Sequence, residues 1–507
     1  MNVSAAAPAD QVAVVLGETP LHGAGQGLRQ AGILSSGRWW TGPQSELGAA
    51  LADVMRDGSA RIVVWRSADL TVPVSQGARL HRLHDIAEAH RVLHGGWRAD
   101  AGVAWAAARG LSADGAAPAP TNDLFSLPDD SPDLVRPDGH LRGDAVHAQW
   151  VSTPDRLHAW AVAALEVAAA QVTQARRWGP RVVATVNAES AAALLCVELA
   201  RDGLPIDRGT MTGLIAACAG PRPVDEADAA RIRAGRDASV LSLVPGWEHV
   251  DLRNPVRVKE LLASTGIDVP STRKWVLEPF RHVHPVVEAL LDWRRDERIA
   301  TTYGYRWLDL NVGADDRLRG TWTACDGAGG RMTADNGLHN LPAPLRPGVA
   351  AAADHAFVRA DLGQIEPRVL AVVSGDPNLA AATRADDLYA PVAQRLQVDR
   401  AVAKVAVLAA MYGQRSGAAG EALKGLERAY PVAMGHLDAA YAAGVRGADL
   451  RTFGGRLIHT GTFLRDQPLG ADPALDAARG RFARNAIIQG AAAELFKAWA
   501  ATVRATT

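Results

Sequence analysis

Residues 355–379 read HAFVRADLGQIEPRVLAVVSGDPNL. Ala356, Val358 and Ala360 alternate toward Asp361, which predicts a strand ending on a carboxylate, and LGQIEPRVLAVVSGD then turns toward helix. A carboxylate at the end of a core strand is costly to bury unless it holds a cation or a strong donor. Magnesium bound by one or two carboxylates plus phosphate oxygens is what phosphoryl transfer requires, because charge on the attacking and leaving oxygens must be neutralised. Taken alone, Asp361 equally suits a turn or a helix cap.

Farther along, DRAVAKVAVLAAMYGQRSG (399–417) sets Arg400, Lys404, Leu408 and Tyr412 four residues apart, a slowly drifting stripe on a helix. A guanidinium offers a planar fork of donors and an ammonium a compact charge, a pair suited to different oxygens of a triphosphate. The same spacing also suits a solvated basic edge on an amphipathic helix.

Around these segments the chain has 507 residues, enough for two to four domains. Cys196, Cys218 and Cys325 are widely separated and odd in number, which leaves neither a disulfide framework nor a paired-cysteine metal knuckle and fits a reducing cytoplasm. With 54 basic and 55 acidic residues, any nucleic-acid surface must be a local patch. No basic leader precedes the short apolar run VAVVLG (12–17), and no stretch is expected to span a membrane.

Residues 1–110 alternate β-like runs, VAVVLG and ARIVVW (60–65), with helical HDIAEAHRVLHGG, a small α/β unit. Residues 112–140 are dense in Pro, Asp, Gly and Ser and predict a loop. A helix starts at STPDRLHAW, capped by Ser152 or Thr153 with Pro154 at its first position, and stops at Gly179-Pro180; RVVATVN then reads as a strand. From about Glu189 long helices dominate, with others over 222–235 and 284–300; strands are expected between 301 and 361, in YRWLDLNV and HAFVRAD.

DLGQIEPR (361–368) is similar to the DYSQIELR motif A of family A DNA polymerases, those like DNA polymerase I, and LAVVSGDPNL continues the match. The resemblance implies that Asp361 is a ligand of both catalytic metals, that Glu366 lies under the sugar of the incoming nucleotide and excludes a ribose 2′-OH, and that Gln364 belongs to the same substrate site. It leaves Arg368 to support the fold. Arg400, Lys404, Tyr412 and Gly413 look like motif B of the same family: Arg400 and Lys404 would bind the triphosphate, Lys404 protonating the pyrophosphate leaving group, and Tyr412 would stack near the templating base. Leu408 stands where the family has an aromatic residue, and Asp387-Leu388-Tyr389 where it has Asp-Ile-His, so that Tyr389 replaces a histidine expected near the phosphates.

GGRMTADNGLHNLP (329–342) resembles the segment that aligns Arg331, His339 and Asn340 with the primer–template minor groove, with His339 in place of the usual glutamine. RFARNAIIQGAAAELFK (481–497) would give template and primer contacts to Arg481, Asn485 and Gln489. Arg456 in TFGGRL matches a basic DNA-contacting segment, and RRDERIATTY (294–303) resembles the thumb-to-palm element, where Arg294 and Arg298 would meet phosphates. Each of these could be structural individually; their shared order along the chain argues for the family.

The family's second metal-binding aspartate lies in a His-Asp-Glu turn, motif C, beyond QGAAAELFK, and no such turn follows here; the expectation is a truncated copy of a longer enzyme. His84-Asp85 is the one His-Asp pair and stands on the wrong side of the fingers. No Asp-x-Glu occurs before residue 190, so Asp85 and Asp155 would be remnants in a degenerate 3′–5′ exonuclease scaffold. The expected fold is therefore an α/β, RNase H-like exonuclease domain over 1–188, followed by an α+β right-hand polymerase domain over 189–507, with thumb at about 189–300 and an incomplete palm with fingers at about 301–507. The implied function is template-directed DNA synthesis in replication or repair by a monomeric cytoplasmic, nucleoid-associated enzyme, using primer–template DNA, dNTPs and two Mg²⁺ ions whose second carboxylate ligand is missing. The alternatives are a primer–template-binding pseudo-polymerase and a 3′–5′ exonuclease.

Overall fold

The computed structural model describes residues 11–19, 28–56, 60–116, 131–146, 150–413, 418–461, 468–470 and 472–507. Part of the loop expected at 112–140, residues 117–130, lies outside the described residues. The chain forms two compact units, one of residues 1–201, 322–333 and 360–507, the other of residues 202–321 and 334–359.

The first unit begins with a five-stranded sheet built from β1 (Gln11–Thr19), β2 (Leu28–Ser35), β3 (Arg38–Pro43), β4 (Arg61–Val64) and β5 (Leu83–Asp85), in the order β3-β2-β1-β4-β5. β1, β2 and β3 run antiparallel; β4 and β5 join parallel to β1. Both faces are covered, which is why β1 is a continuous apolar run: Val12 and Val14 pack with Ile62, Leu47 and Leu51, and Ala13 and Val15 pack with Val63, Leu157 and Trp160. Ser36 and Gly37, at φ 45° and 78°, make the tight turn from β2 to β3.

Thr153 caps the helix Pro154–Trp178 through the Arg156 N–H, as expected. The strand expected at RVVATVN is instead the first part of the helix Pro180–Asp202. Its inward residues Val182, Thr185, Val186, Glu189, Ser190 and Ala193 keep a helical period, which outweighs the strand preference of the valines. The domain boundary expected at 188/189 falls inside this helix. Contrary to the sequence expectation, its length and composition alone would suit a membrane span, yet half of its most apolar stretch is buried and Glu189 on its inward face is fully buried.

Later in the first unit, strands Trp322–Asp326 and Arg331–Ala334 pair, and helices Ile365–Ser374, Tyr389–Leu396, Arg400–Tyr412, Pro431–Val445 and Pro473–Thr506 share a core that includes Leu370, Leu388, Val407, Leu437 and Ile488. Gly444 lets Pro431–Val445 approach Pro473–Thr506, since a Cβ there would lie 2.6 Å from the Arg479 carbonyl oxygen. The strand expected at HAFVRAD is absent: residues 355–361 carry no element and are exposed, Val358 at 96%. Among the described residues no strand pairs with them, and alternation without a partner strand leaves a segment extended in water.

The second unit is mainly helical, including Arg208–Ala219, Glu226–Leu241, Pro255–Ser264 and Pro285–Thr302. YRWLDLNV, expected as a strand, forms the helix Tyr305–Asn311, because Trp307 and Leu308 turn together into a core with Met211, Ile299 and Leu345.

Candidate active site

Asp361 is exposed and lies at the edge of an apolar groove of about 720 Å³ lined by Ile365, Val369, Val372, Phe453 and Leu495. Among the described residues no hydrogen bond or ion pair engages its carboxylate. Three residues on, Gln364 adopts the left-handed conformation, φ 58° and ψ 39°, and launches the helix Ile365–Ser374. Its side chain reaches the loop before Tyr389: Nε2 donates to Asp387 Oδ1 at 2.8 Å, and Oε1 accepts from the Leu388 N–H at 2.8 Å. Arg368 ties the same loop down, donating to the carbonyls of Gly363, Thr383, Ala385 and Asp386. It has the structural role expected of it.

Glu366, in the first turn of that helix, is half-buried, and burial raises its carboxyl above the ordinary range while Arg331 pulls it back. The phenols of Tyr389 and Tyr412 are raised first by burial and then by Glu366, so both rings stand within electrostatic reach of that carboxylate. Asn485 hydrogen-bonds Tyr412. Arg331, Tyr389 and Tyr412 thus stand about Glu366, and Asn485 joins them through Tyr412.

The helix Arg400–Tyr412 carries the expected cations. Arg400 Nε donates to Asp387 Oδ2 and Nη2 to Oδ1 at 3.2 Å, with the guanidinium carbon 5.7 Å from the centre of the Tyr389 ring. Lys404 is exposed, with no ion pair among the described residues. Leu408 is partly buried and packs on the core of the unit. Gln489 sits against the turn that precedes Arg331, where a Cβ on Gly329 would lie 2.8 Å from its Oε1; Arg481 is exposed beside Gly413.

Arg456 corrects the sequence reading. Expected on DNA, it is 2% exposed; Nη2 lies 2.7 Å from Glu189 Oε1, and Nη1 donates to Cys325 Sγ at 3.2 Å. Lys497, fully buried, donates to the other oxygen of Glu189. Burial alone would raise the Glu189 carboxyl; Arg456 and Lys497 reverse this and hold it below the ordinary range. Glu494 accepts from Thr452 and from the Gly454 N–H beside them.

In the second unit, His339 Nδ1 accepts from the Ala334 N–H at 3.0 Å, and Asn340 accepts from the Tyr303 hydroxyl at 3.2 Å. Arg294, expected as a phosphate contact, is partly buried and donates to the Thr272 carbonyl; Arg298 is exposed over the Tyr303 ring.

Sequence reading passed over Asp387 as an acceptor for Arg400, over the Glu189–Lys497 pair, and over Arg484, which is buried and donates to the Ala410 carbonyl and Asp438. Asp387 was within reach, two residues before a helix start and one of the motif residues noted; nothing in the spacing signals the other two.

The resemblance of the DLGQIEPR segment implies two Mg²⁺ ions. Among the described residues no group of three or more His, Cys, Asp or Glu side chains is gathered as a metal cluster. Asp361, exposed at the groove edge, is the one carboxylate of that implied set, and among the described residues no second carboxylate is gathered with it as a metal cluster.

Residues 250–432 match the family model described as DNA polymerase family A. DNA polymerase I of Chloroflexus aurantiacus is 32% identical over 251 residues, 44% of this chain and 26% of that protein. The thermostable DNA polymerase I of Thermus thermophilus is 38% identical over 116 residues, 22% of this chain and 14% of that protein. These alignments thus span about a quarter or less of the relatives' own length. The solved polymerase domain of Pol1 from M. smegmatis, in complex with DNA primer–template and dNTP, superposes with a TM-score of 0.64 over 96% of this chain and 83% of that one, at 20% identity, a likeness of fold.

Proposed function

We propose that this chain, whose residues 250–432 match the model of DNA polymerase family A, belongs to that family and extends a primer 3′-end by template-directed addition of deoxynucleotides. The gathering of Arg331, Tyr389 and Tyr412 about Glu366, with Asn485 on Tyr412 and Arg400 over the Tyr389 ring, supports this reading. Arg400 offers a planar fork and Lys404 an unpaired ammonium to the triphosphate oxygens. Glu366, partly dehydrated and neighboured by two phenols, meets the sugar edge, where an added 2′-OH would find no room. Tyr412 offers a face to the templating base. Mg²⁺ bound at Asp361 supplies charge neutralisation for the phosphates. Primer–template DNA and dNTPs, the ligands of the solved M. smegmatis relative, are the partners proposed here, for a monomer in the bacterial cytoplasm at the nucleoid.

We read the β3-β2-β1-β4-β5 sheet as an RNase H-like exonuclease scaffold that does not cut. Asp85 is buried and accepts from the Ser67 and Glu88 N–H groups, while Asp155 is exposed in the first turn of its helix. That no second carboxylate joins Asp361 among the described residues favours a second reading, a protein that grips primer–template junctions and synthesises little.

Primer extension in Mg²⁺ tests both. Wild-type chain should extend a primer, and Asp361→Ala should lose at least about a hundredfold in rate while duplex affinity holds within about twofold. Undiminished synthesis by Asp361→Ala removes the assignment, and duplex binding without extension by the wild type selects the second reading. Shortening of the primer from its 3′-end would restore the exonuclease.

A further inference from the structure

Resting on the reading of Arg400 as a triphosphate ligand, we infer that Asp387 is a positioning residue: it fixes the Arg400 guanidinium in one orientation and thereby couples the Asp361 segment to the Arg400–Tyr412 helix. Arg400 uses Nε–H and one Nη2–H on the two oxygens of Asp387. An arginine has five N–H donors, so three remain, on the Nη1 side and the outer edge of Nη2, all in the plane that Asp387 sets. A free arginine side chain would have to be ordered by each incoming nucleotide; one already clamped presents those donors at lower entropic cost. The Tyr389 ring beneath limits rotation out of that plane.

Asp387 is itself immobilised. Oδ1 accepts from Gln364 Nε2 at 2.8 Å and from the Tyr389 N–H at 3.2 Å. Gln364 in turn holds the Leu388 N–H, and Arg368 holds the carbonyls of residues 383, 385 and 386. Asp387 thus lies between Gln364 of the DLGQIEPR segment and the first cation of the Arg400–Tyr412 helix. Its carboxyl stands below the ordinary range, first because of Arg400, so it remains an anion wherever Arg400 is paired with it. The opposite possibility is that Asp387 merely neutralises Arg400 and competes with the nucleotide for it.

The two are separated by titrating a dNTP complementary to the template, in Mg²⁺, into the full chain bound to a primer–template ended by a dideoxynucleotide. The variants are Arg400→Ala, Asp387→Asn, Asp387→Glu and the double variant Asp387→Asn/Arg400→Ala. The inference expects Asp387→Asn to weaken dNTP binding about fivefold, Asp387→Glu to recover part of that loss, and the double variant to bind no worse than Arg400→Ala alone, since Asp387 acts only through Arg400. Tighter binding by Asp387→Asn, unchanged binding, or an additive loss in the double variant overturns it. No dNTP binding by the wild type, or no effect of Arg400→Ala, overturns the underlying reading of Arg400 instead. Melting temperatures of the four variants mark any loss that comes from unfolding.

Discussion

Arg456 is where a motif and its chemistry part company. A basic residue in TFGGRL fits a DNA-contacting segment, yet its guanidinium lies in a buried set with Glu189, Lys497 and Cys325. Removing one member of a buried ion pair leaves the other charge dehydrated and uncompensated, a loss of about 3–5 kcal/mol. Arg456→Ala should therefore lower the melting temperature by several degrees, while the folded fraction keeps the proposed primer–template affinity of the wild type in a gel-shift titration. An unchanged melting temperature with weakened DNA binding would return Arg456 to the DNA surface. Sequence reported the residue type but not its depth, because depth depends on Glu189 and Lys497, which lie far from it along the chain and bear no mark of pairing. Asp361, Glu366, Arg400 and Tyr412, by contrast, were singled out by two short motifs, each of which folds as one helix with its lead-in, and their roles stand as proposed.

At the scale of elements, helices whose start, stop and apolar period agreed were readable, and the segments that failed did so for two reasons. RVVATVN and YRWLDLNV hold β-branched and aromatic residues, but their neighbours continue a helical period, and burial of that face decided the outcome. HAFVRAD alternates, but a strand needs a paired backbone, and that lies outside any single segment. Asp376 illustrates a contact between elements that spacing only half reveals. In SGDPN it reads as a cap for the next helix, and Oδ1 does accept from the Asn378 and Leu379 N–H groups. Oδ2, however, accepts from Val432 and Ala433 at 3.1 Å, so one fully buried carboxylate caps two helices. Asp376→Ala leaves four backbone donors, two of them buried, without their acceptor, and the loss should exceed the roughly 1 kcal/mol of an ordinary cap, reaching about 2–3 kcal/mol. Asp376→Asn, which keeps one oxygen, should lose less. Equal denaturation midpoints for the Ala and Asn variants would show that the second helix gains nothing from this residue.

Across the whole molecule, stability should depend on pH through histidines buried in the neutral form. His84 is 1% exposed, pairs with Gln171 at 2.9 Å and has its pKa lowered to about 4, first by burial; His90, beside His94 and Arg91, is lowered to about 3 for the same leading reason. A histidine whose folded pKa lies below its unfolded value binds fewer protons when folded. Its stabilising effect is complete above about pH 6.5 and is lost as pH falls toward the folded pKa, by up to about 1.4 kcal/mol per pH unit for each ring. Asp85 works in the opposite sense, since burial raises its pKa to about 7 and its folded form gains protons over the same interval. The wild-type profile therefore sums terms of opposite sign, and a difference between variants isolates one of them. His84→Gln should be less stable than wild type at pH 7.5, having lost the fit to Gln171, and the gap should narrow by about 2 kcal/mol between pH 6.5 and 5, where only the wild type carries the titrating ring. Denaturant unfolding at pH 7.5, 6.5 and 5 measures that gap. A constant gap would mean that His84 reaches solvent, or a carboxylate, once it is protonated, and that the interior of the β3-β2-β1-β4-β5 layer opens before the rest of the fold.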